Sequence, residues 1–260
     1  MIKKIVLLPD FHHPHIDKPS VNAVFQFTKW FKPHAINIVG DAMNMDAVNH
    51  WKIGKGAKKY FEGKRLVKEY EDFDNEILIP LEQILPEDCE KTFMGGNHEE
   101  WINVILEKMP QFIGLIEVES RLKLKQRGWE WIPWIDIDEE KGIYGRGMKQ
   151  YGKLLVFHGQ YVNKYHSHKT VDTFSKSCAY AHTHDIQMYT KVTIDDQKSF
   201  HTAQSIGCLC NRSPEFLKGG MNRWVNAFGI LYIREDGNYN LYVPIIIDGK
   251  FCFEGKVWGL

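Results

Sequence analysis

Residues 91–100 have the sequence KTFMGGNHEE, which contains the strongest local indication of the fold of this chain. Residues 91–94 are typical of a short buried strand, which ends at Gly95-Gly96-Asn97-His98. From Asn97 the pattern becomes helical, because Asn97 is a favoured helix cap and Glu99 and Glu100 bring negative charge to the first turn. The stretch therefore predicts a strand that passes through a polar turn into a helix, as in a layered α/β domain.

Four other apolar runs also end in polar residues. They are residues 2–8, followed by Asp10-Phe11-His12; residues 35–39, followed by Gly40-Asp41; residues 153–157, followed by His158-Gly159; and residues 177–180, followed by Ala181-His182-Thr183-His184. Side chains at the carboxyl ends of strands converge on the crevice where α/β folds bind their substrates. The five segments together predict one polar site, although each alone is a weak signal.

The rest of the chain supports a single domain over residues 1–260. Helical spacing is present at residues 21–31, and a long helix is predicted over residues 64–85, with Pro80 as a potential break. Helix is also predicted from Asn97 to about Arg127, followed by a strand at residues 129–134. Runs at residues 186–194, 200–206, 225–233, 239–247 and 251–253 are predicted as antiparallel strands.

Composition excludes several classes of protein. The 260 residues are 43% hydrophobic and 25% charged, which suits one large globular domain. Lys+Arg and Asp+Glu both number 33, so the overall basic excess of a dedicated nucleic-acid-binding domain is missing. The apolar run at the N-terminus is too short for a signal peptide, and no run approaches a membrane span. We therefore expect a cytoplasmic protein with no membrane partner.

The order Asp-x-His, Gly-Asp, Gly-Asn-His-Glu, His and His-x-His over residues 10–184 resembles the calcineurin-like metallophosphoesterase family. The resemblance implies a four-layer αββα sandwich of two mixed β-sheets flanked by helices, with a dinuclear metal site at the carboxyl ends of the strands. It implies that the first metal is held by Asp10, His12, Asp41 and His184, and that the second is held by Asp41, Asn97, His158 and His182. His98 matches the family's catalytic histidine, a general acid or transition-state stabiliser.

The expected enzyme is a hydrolase that attacks a phosphoester with a hydroxide bridging two divalent metal ions. Manganese is the expected metal, and iron, zinc, nickel, cobalt or magnesium are alternatives. Two positions depart from the family pattern: Asn44 replaces the second Asp of Gly-Asp-x-x-Asp, and Ala181 replaces the Gly before His-x-His. Neither change removes a proposed ligand, and we expect Asn44 to alter only the bonding around the ligands.

We expect a phosphodiesterase, potentially a nuclease, acting on nucleic acid or nucleotides. A phosphomonoesterase and a non-catalytic metal-bound scaffold are the alternatives; a protein phosphatase is disfavoured because the arginines that grip phosphate in that branch are missing. Residues 51–68 contain seven Lys or Arg, one Glu and three aromatic residues. This segment predicts contact with a nucleic acid, and an ordinary solvated surface is the equal alternative. The oligomeric state is open.

Several chemically active residues receive no role from the sequence. The five cysteines are interpreted as reduced and structural, with redox or metal work by Cys208 and Cys210 as the minor alternative. Trp129, Trp131 and Trp134 are expected to pack, although they are also candidates for stacking on bases. Four further histidines are left unassigned: His13, His15, His166 and His168.

Overall fold

A six-stranded mixed sheet carries three of the predicted metal-binding loops. In the computed structural model, which describes residues 2–138, 143–192, 199–214 and 217–259, its strands are β1 (Lys3–Leu8), β2 (Ala35–Val39), β3 (Glu90–Met94), β4 (Trp129–Ile132), β12 (Gly229–Ile233) and β13 (Tyr239–Tyr242). Their order is β13-β12-β1-β2-β3-β4. Strands β1 to β4 are parallel, whereas β12 pairs antiparallel with β1. The loops after β1, β2 and β3 therefore leave the same edge of the sheet.

A five-stranded mixed sheet carries the remaining loops. It contains β7 (Met148–Tyr151), β8 (Leu154–Phe157), β9 (Ser177–Tyr180), β10 (Met188–Val192) and β11 (Phe200–Ser205), in the order β10-β11-β9-β8-β7. Strands β10 and β11 pair antiparallel, as predicted, whereas β9 is parallel to both β8 and β11. Two small hairpins pair β5 (Ile135–Asp138) with β6 (Ile143–Arg146) and β14 (Phe251–Phe253) with β15 (Lys256–Trp258).

The described residues contain seven α-helices, of which one is longer and two are shorter than the sequence pattern predicted. They are α1 (Lys18–Phe31), α2 (His50–Gly54), α3 (Leu66–Phe73), α4 (Ile79–Glu82), α5 (Glu100–Lys108), α6 (Val118–Arg121) and α7 (His166–Phe174). The helix predicted over residues 64–85 consists of α3, a π-helical turn at Asp74–Leu78 and α4, which are contiguous from Leu66 to Glu82, with Pro80 as the second residue of α4. The helix predicted up to Arg127 ends at Lys108, before Pro110.

The two sheets and the helices form successive layers. Val6 and Leu8 of β1 point into a core shared with Phe27 and Phe31 of α1. Ile5 and Leu7, which point the other way because side chains alternate along a strand, belong to a second core with Phe157 of β8. Helix α7 packs against β9, β10 and β11. The predicted mixed α/β architecture is confirmed.

Two further predictions concern the strand at residues 186–194 and membrane-spanning helices. Residues 193 and 194, the end of the strand predicted at 186–194, lie outside the described residues. In the part of the chain that the structure describes, no helix is both long and apolar enough to cross a membrane. The single-domain organisation of residues 1–260 stays a prediction.

Candidate metal centre

The predicted site residues meet where the carboxyl ends of the two sheets approach each other. Asp10 and His12 follow β1, Asp41 follows β2, and Asn97 and His98 follow β3. The second sheet contributes the three remaining histidines from the loops after β8 and β9: His158, His182 and His184. Each of these residues closely follows a strand, so the strands fix the backbone positions from which the side chains reach the site.

The first group of potential ligands joins loops that are 172 residues apart. The Nε2 atoms of His12 and His184 are 3.1 Å apart, and His184 Nε2 lies 3.2 Å from Asp10 Oδ1. His12 Nε2 is also 3.6 Å from Asp41 Oδ2. Asp10, His12 and His184 are all buried, with ligand atoms within 4.8 Å of one another. This spacing suits one metal ion.

The second group shares Asp41 with the first. His158 Nε2 lies 3.3 Å from Asp41 Oδ2 and 3.2 Å from Asn97 Oδ1. The potential ligand atoms of Asp41, His158 and His182 also lie within 4.8 Å of one another. Asp41 is therefore placed between the two groups, as expected of a bridging residue.

Hydrogen bonds to oxygen atoms fix which ring nitrogen faces the centre. His158 Nδ1 donates to the carbonyl oxygen of Val39 at 2.8 Å, and His12 Nδ1 donates to Asn44 Oδ1 at 3.1 Å. In both residues Nε2 therefore faces the carboxylates and is the ring atom placed to bind a metal ion. Such bonds orient metal-binding imidazoles and fix their tautomers.

His98 lies beside the first group and Asp41. Its Nδ1 donates to the carbonyl oxygen of Asn44 at 2.8 Å, and its Nε2 lies 4.0 Å from Asp41 Oδ2. The ring also stacks on Trp101 of α5 with a centroid distance of 4.1 Å. His98 is thus held by two contacts while Nε2 faces the centre, as a proton donor to a bound substrate requires.

The backbone of the site is strained at five residues. Asp10, His12, Asp41, His182 and His184 all have φ between 39° and 71°, the left-handed region that side chains other than glycine rarely adopt. Such conformations cost about 1–3 kcal/mol each and persist where the surrounding structure enforces them.

Two glycines show how closely the loops pack. A Cβ atom on Gly96 would lie 2.1 Å from Asp41 Oδ1, and one on Gly40 would lie 2.4 Å from His158 Nδ1. Any side chain at either position would displace a potential ligand. These glycines therefore permit the approach of the β2 and β3 loops to each other and to His158.

Glu99 joins the β2 and β3 loops, a role that the sequence pattern did not reveal. Its buried carboxylate accepts hydrogen bonds from the backbone N–H groups of Asp41 at 3.0 Å, Met43 at 3.0 Å and Gly96 at 2.8 Å. Burial, together with the nearby Asp41 carboxylate, raises the pKa of Glu99 to about 7. The position of Glu99 in Gly-Asn-His-Glu was the available signal, but the sequence analysis interpreted Glu99 only as a favourable charge in the first helical turn.

Asn44 supports His12, as the sequence analysis expected of a residue that alters bonding around the ligands. Besides accepting from His12, its Nδ2 donates to Asp46 Oδ1 at 2.8 Å. Asp46 in turn accepts from the Tyr60 hydroxyl and pairs with Lys64 at 3.2 Å. Although burial opposes ionisation, bonds from His15, Tyr60 and Lys64 hold the pKa of Asp46 well below its usual range.

The pKa values of the ionisable groups shift in opposite directions, because carboxylates and imidazoles are buried together in the site. Burial disfavours the charged form of His158, but the Asp41 carboxylate more than offsets this and raises its pKa to about 9. Burial lowers the pKa of His182 to about 4. Burial also opposes ionisation of Asp41, yet His158 and His98 hold its pKa well below the usual range. Asp41 thus remains ionised in a buried site that favours added positive charge.

Three tryptophans border the centre. Trp101 stacks on His98, Trp134 lies with its ring 5.1 Å from that of His158, and the ring of Trp224 is 4.3 Å from that of His184. The guanidinium of Arg146 lies 4.0 Å above the Trp134 ring. Trp129 is buried, as predicted for a packing residue, whereas Trp134 reaches the site.

Three of the unassigned histidines contact residues other than the predicted ligands. His166 bonds the Tyr180 hydroxyl at 2.7 Å and Asp185 at 3.1 Å, and His168 pairs with Asp172 on the surface. His13 is buried with its ring 5.9 Å from that of Phe73. Their contacts are those of structural residues.

The donor set fits divalent metal ions. Asp10 Oδ1 is buried and, within the described residues, has no hydrogen-bond partner. A buried carboxylate oxygen without a partner lowers the stability of the fold, and a bound cation would remove this cost. Carboxylate and imidazole donors together suit Mn, Fe, Co, Ni or Zn. The clusters of histidine and aspartate can therefore bind metal ions, as the sequence predicted.

Comparisons with known proteins give sequence relatives without a stated activity. No family model matches the chain. The Gene 54 proteins of Mycobacterium phages L5 and D29 are 23% and 26% identical to it, in alignments that cover 99% of this chain and 99% of each relative. Among solved structures, Chaetomium thermophilum Vps29 aligns with 94% of this chain and 97% of its own, at 11% identity and a TM-score of 0.37. The function must therefore be argued from the metal centre itself.

Proposed function

We propose that this protein is a hydrolase of phosphoesters that holds two divalent metal ions and cleaves phosphodiesters in nucleic acid or nucleotides. The observation that carries the proposal is the convergence of the seven potential ligands into two groups that share Asp41, with His98 beside them. The residues that match the calcineurin-like metallophosphoesterase pattern are thus spatial neighbours, which supports their assignment as ligands.

Asp10, His12, Asp41 and His184 would hold the first ion, and Asp41, Asn97, His158 and His182 the second. When bound, divalent ions neutralise phosphate charge and acidify water. The protein's own contribution is to keep the Nε2 atoms of His12 and His158 aimed at the centre through Asn44 and Val39. Preorganised ligands of this kind avoid the cost of reorganising during the reaction.

His98 is the proposed general acid. Because Nδ1 donates to the carbonyl of Asn44, a proton on Nε2 faces the site and can pass to the leaving oxygen of the ester. Trp101 covers one face of the ring and limits its rotation. The imidazole would regain a proton from solvent after each turnover.

Nucleic acid or a nucleotide is the proposed substrate because basic and aromatic groups adjoin the centre. Lys55, Lys58 and Lys59 are exposed on the segment that follows α2. Trp51 is 66% exposed and contacts His50, whose ring lies parallel to that of Trp101 at 6.3 Å. A series of rings thus leads from His98 towards the lysines, and exposed aromatic faces with nearby cations suit stacked bases and phosphates.

An apolar cavity of about 510 Å³ lies at the outer end of this series. His50, Trp51, Ile105 and Met109 are among its lining residues, and Lys55 and Lys108 contribute cationic groups. A nucleobase is flat, largely apolar on its faces and attached to a phosphate, so its shape and charge match this combination. The cavity supports a nucleotide-containing substrate over a small alkyl phosphate.

The test is an assay of purified protein with Mn²⁺ on bis-p-nitrophenyl phosphate and on p-nitrophenyl phosphate. We expect turnover that favours the diester, is lost on chelation, and falls by at least about 1,000-fold in Asp41→Asn, which removes the negative charge of the shared ligand. Metal content measured on both proteins separates loss of binding from loss of chemistry. Bound metal without turnover of either ester would contradict the proposal and favour a non-catalytic scaffold. Assays on single- and double-stranded DNA and RNA then identify the natural class of substrate.

A further inference from the structure

Two cysteines lie beside the first group of metal ligands, in the loop that follows β11. Cys208 and Cys210 are 0% and 1% exposed. The loop is fixed by its main chain: Leu209 N donates to the carbonyl oxygen of Asp10 at 3.1 Å, and Asn226 Nδ2 donates to that of Cys210 at 2.7 Å. The two thiols are therefore held against the β1 loop that carries Asp10.

Both sulfur atoms approach His184. The Sγ atoms of Cys208 and Cys210 and a ring nitrogen of His184 all lie within 4.8 Å of one another, and all three residues are buried. Separately, His184 Nδ1 is a buried nitrogen without a hydrogen-bond partner among the described residues. His184 is 6% exposed, so water does not readily satisfy that nitrogen.

Two thiols and one imidazole form a donor set with a defined preference among metal ions. Thiolate sulfur is a soft ligand that selects Zn²⁺ and related thiophilic ions, and three protein ligands with one open position are common for zinc. Buried cysteines also serve as small apolar residues, and Cys208 Sγ lies 3.6 Å from the Val225 carbonyl oxygen. Apolar packing alone leaves the unpartnered His184 nitrogen unexplained.

We propose that Cys208, Cys210 and His184 form a binding site for a thiophilic divalent ion, Zn²⁺ or Cd²⁺, which shares His184 with the metal centre. A thiophilic ion at this site competes for His184, and excess Zn²⁺ or Cd²⁺ should therefore inhibit. The inhibition rests on the proposed hydrolase function, whereas the binding does not.

The test is a titration of metal-free protein with Cd²⁺, followed by ultraviolet absorption of cadmium–thiolate bonds. We expect the wild-type protein to gain this absorption, and Cys208→Ser and Cys210→Ser to bind at least about tenfold more weakly. The matched control is Cys178→Ser, which changes another buried cysteine, in β9, and should leave the absorption unchanged.

Alkylation followed by mass spectrometry measures the reactivity of each thiol with and without Cd²⁺, and it needs no variant. Compared with metal-free protein, bound Cd²⁺ should slow the alkylation of Cys208 and Cys210, which react only through local opening, and should leave the rate at exposed Cys252 unchanged. Absence of thiolate absorption in folded wild-type protein, or full absorption in both serine variants, would overturn the inference. A protein that shows the absorption but hydrolyses no ester would overturn the proposed function and leave this site intact.

Discussion

The loops of the metal centre and the segment over residues 50–64 hold their side chains in different ways. In the centre, main-chain groups position the side chains: Glu99 binds three backbone N–H groups and His158 donates to a backbone carbonyl. In residues 50–64, side chains contact other side chains, with Lys52 and Lys64 over the Tyr60 ring at 5.2 and 4.4 Å. The centre is therefore suited to fixed geometry, and the segment to an adaptable surface.

The two regions are connected through Asp46. Tyr60 and Lys64 bind its carboxylate, which in turn accepts from Asn44, the partner of His12. A substrate that displaced Lys64 would therefore act on a residue two hydrogen bonds away from a potential metal ligand. Apart from this connection, the geometry of the centre and the surface of the segment depend on different residues, and three predictions test how far the two can be changed separately.

The largest effect is expected from Glu99→Gln. The amide can accept at only one of its two positions, so at least one buried N–H group in the β2 or β3 loop loses its partner, at a cost of about 1–3 kcal/mol. We expect metal affinity and kcat/KM on bis-p-nitrophenyl phosphate to fall by about 10–100-fold, as for residues that orient ligands. Metal titration and steady-state kinetics measure both quantities.

The neighbouring Glu100→Gln is the matched control. Glu100 lies in the first turn of α5 and bonds Asn103 at 3.0 Å, away from the β2 loop. Equal losses in the two variants would show that Glu99 acts through general stability and not through the loops.

Part of this arrangement was readable from the sequence, and part was not. Short-range patterns located β1, β2 and β3 to within a residue, because apolar runs ending in polar residues are local signals. The residues predicted for the centre are neighbours in space. The contact of Glu99 with the β2 loop and the approach of Cys208 to His184 depend on how distant loops meet, and local pattern carries no such information. Likewise, Trp134 reaches His158 because of the turn after β4.

A smaller effect is expected from replacing three exposed lysines of the segment, Lys55, Lys58 and Lys59, with alanine. Each lysine–phosphate pair contributes about 0.7 to the slope of log affinity against log salt for single strands, so removing three pairs should decrease the slope by about 2. Hydrolysis of bis-p-nitrophenyl phosphate should remain unchanged, since the centre is untouched. Binding of labelled single-stranded DNA at several salt concentrations measures the slope.

A control variant changes Lys29, Lys125 and Lys176, which are equally exposed but lie on other elements. If both triple variants lose affinity equally, the attraction is a property of total charge and the segment has no special role.

The smallest effect concerns Glu69 of α3, whose Oε1 accepts from the Ala47 N–H beside Asp46. Burial raises the pKa of Glu69 to about 7, from about 4.5 when unfolded. The folded state therefore binds the proton more tightly, and stability that is fully present below pH 4.5 is lost as pH rises to about 7. With partial exposure taken into account, we expect a loss of about 2 kcal/mol in the free energy of unfolding.

Urea unfolding at pH 5 and pH 8 checks this expectation. Glu69→Gln should reduce the decrease between the two pH values, because the neutral amide has no charge to bury. Glu71→Gln, at an exposed position of the same helix, should retain the wild-type decrease. The same pH dependence in all three proteins would contradict the raised pKa.

The five left-handed residues of the centre have a consequence for laboratory evolution. Glycine would relax the backbone at each of these positions, so the changes most able to raise the melting temperature locally are also those that delete an Asp or His. A library screened for heat resistance alone should accumulate glycine there and become inert. Under the proposed function, selection for hydrolysis would keep this unfavourable backbone in place.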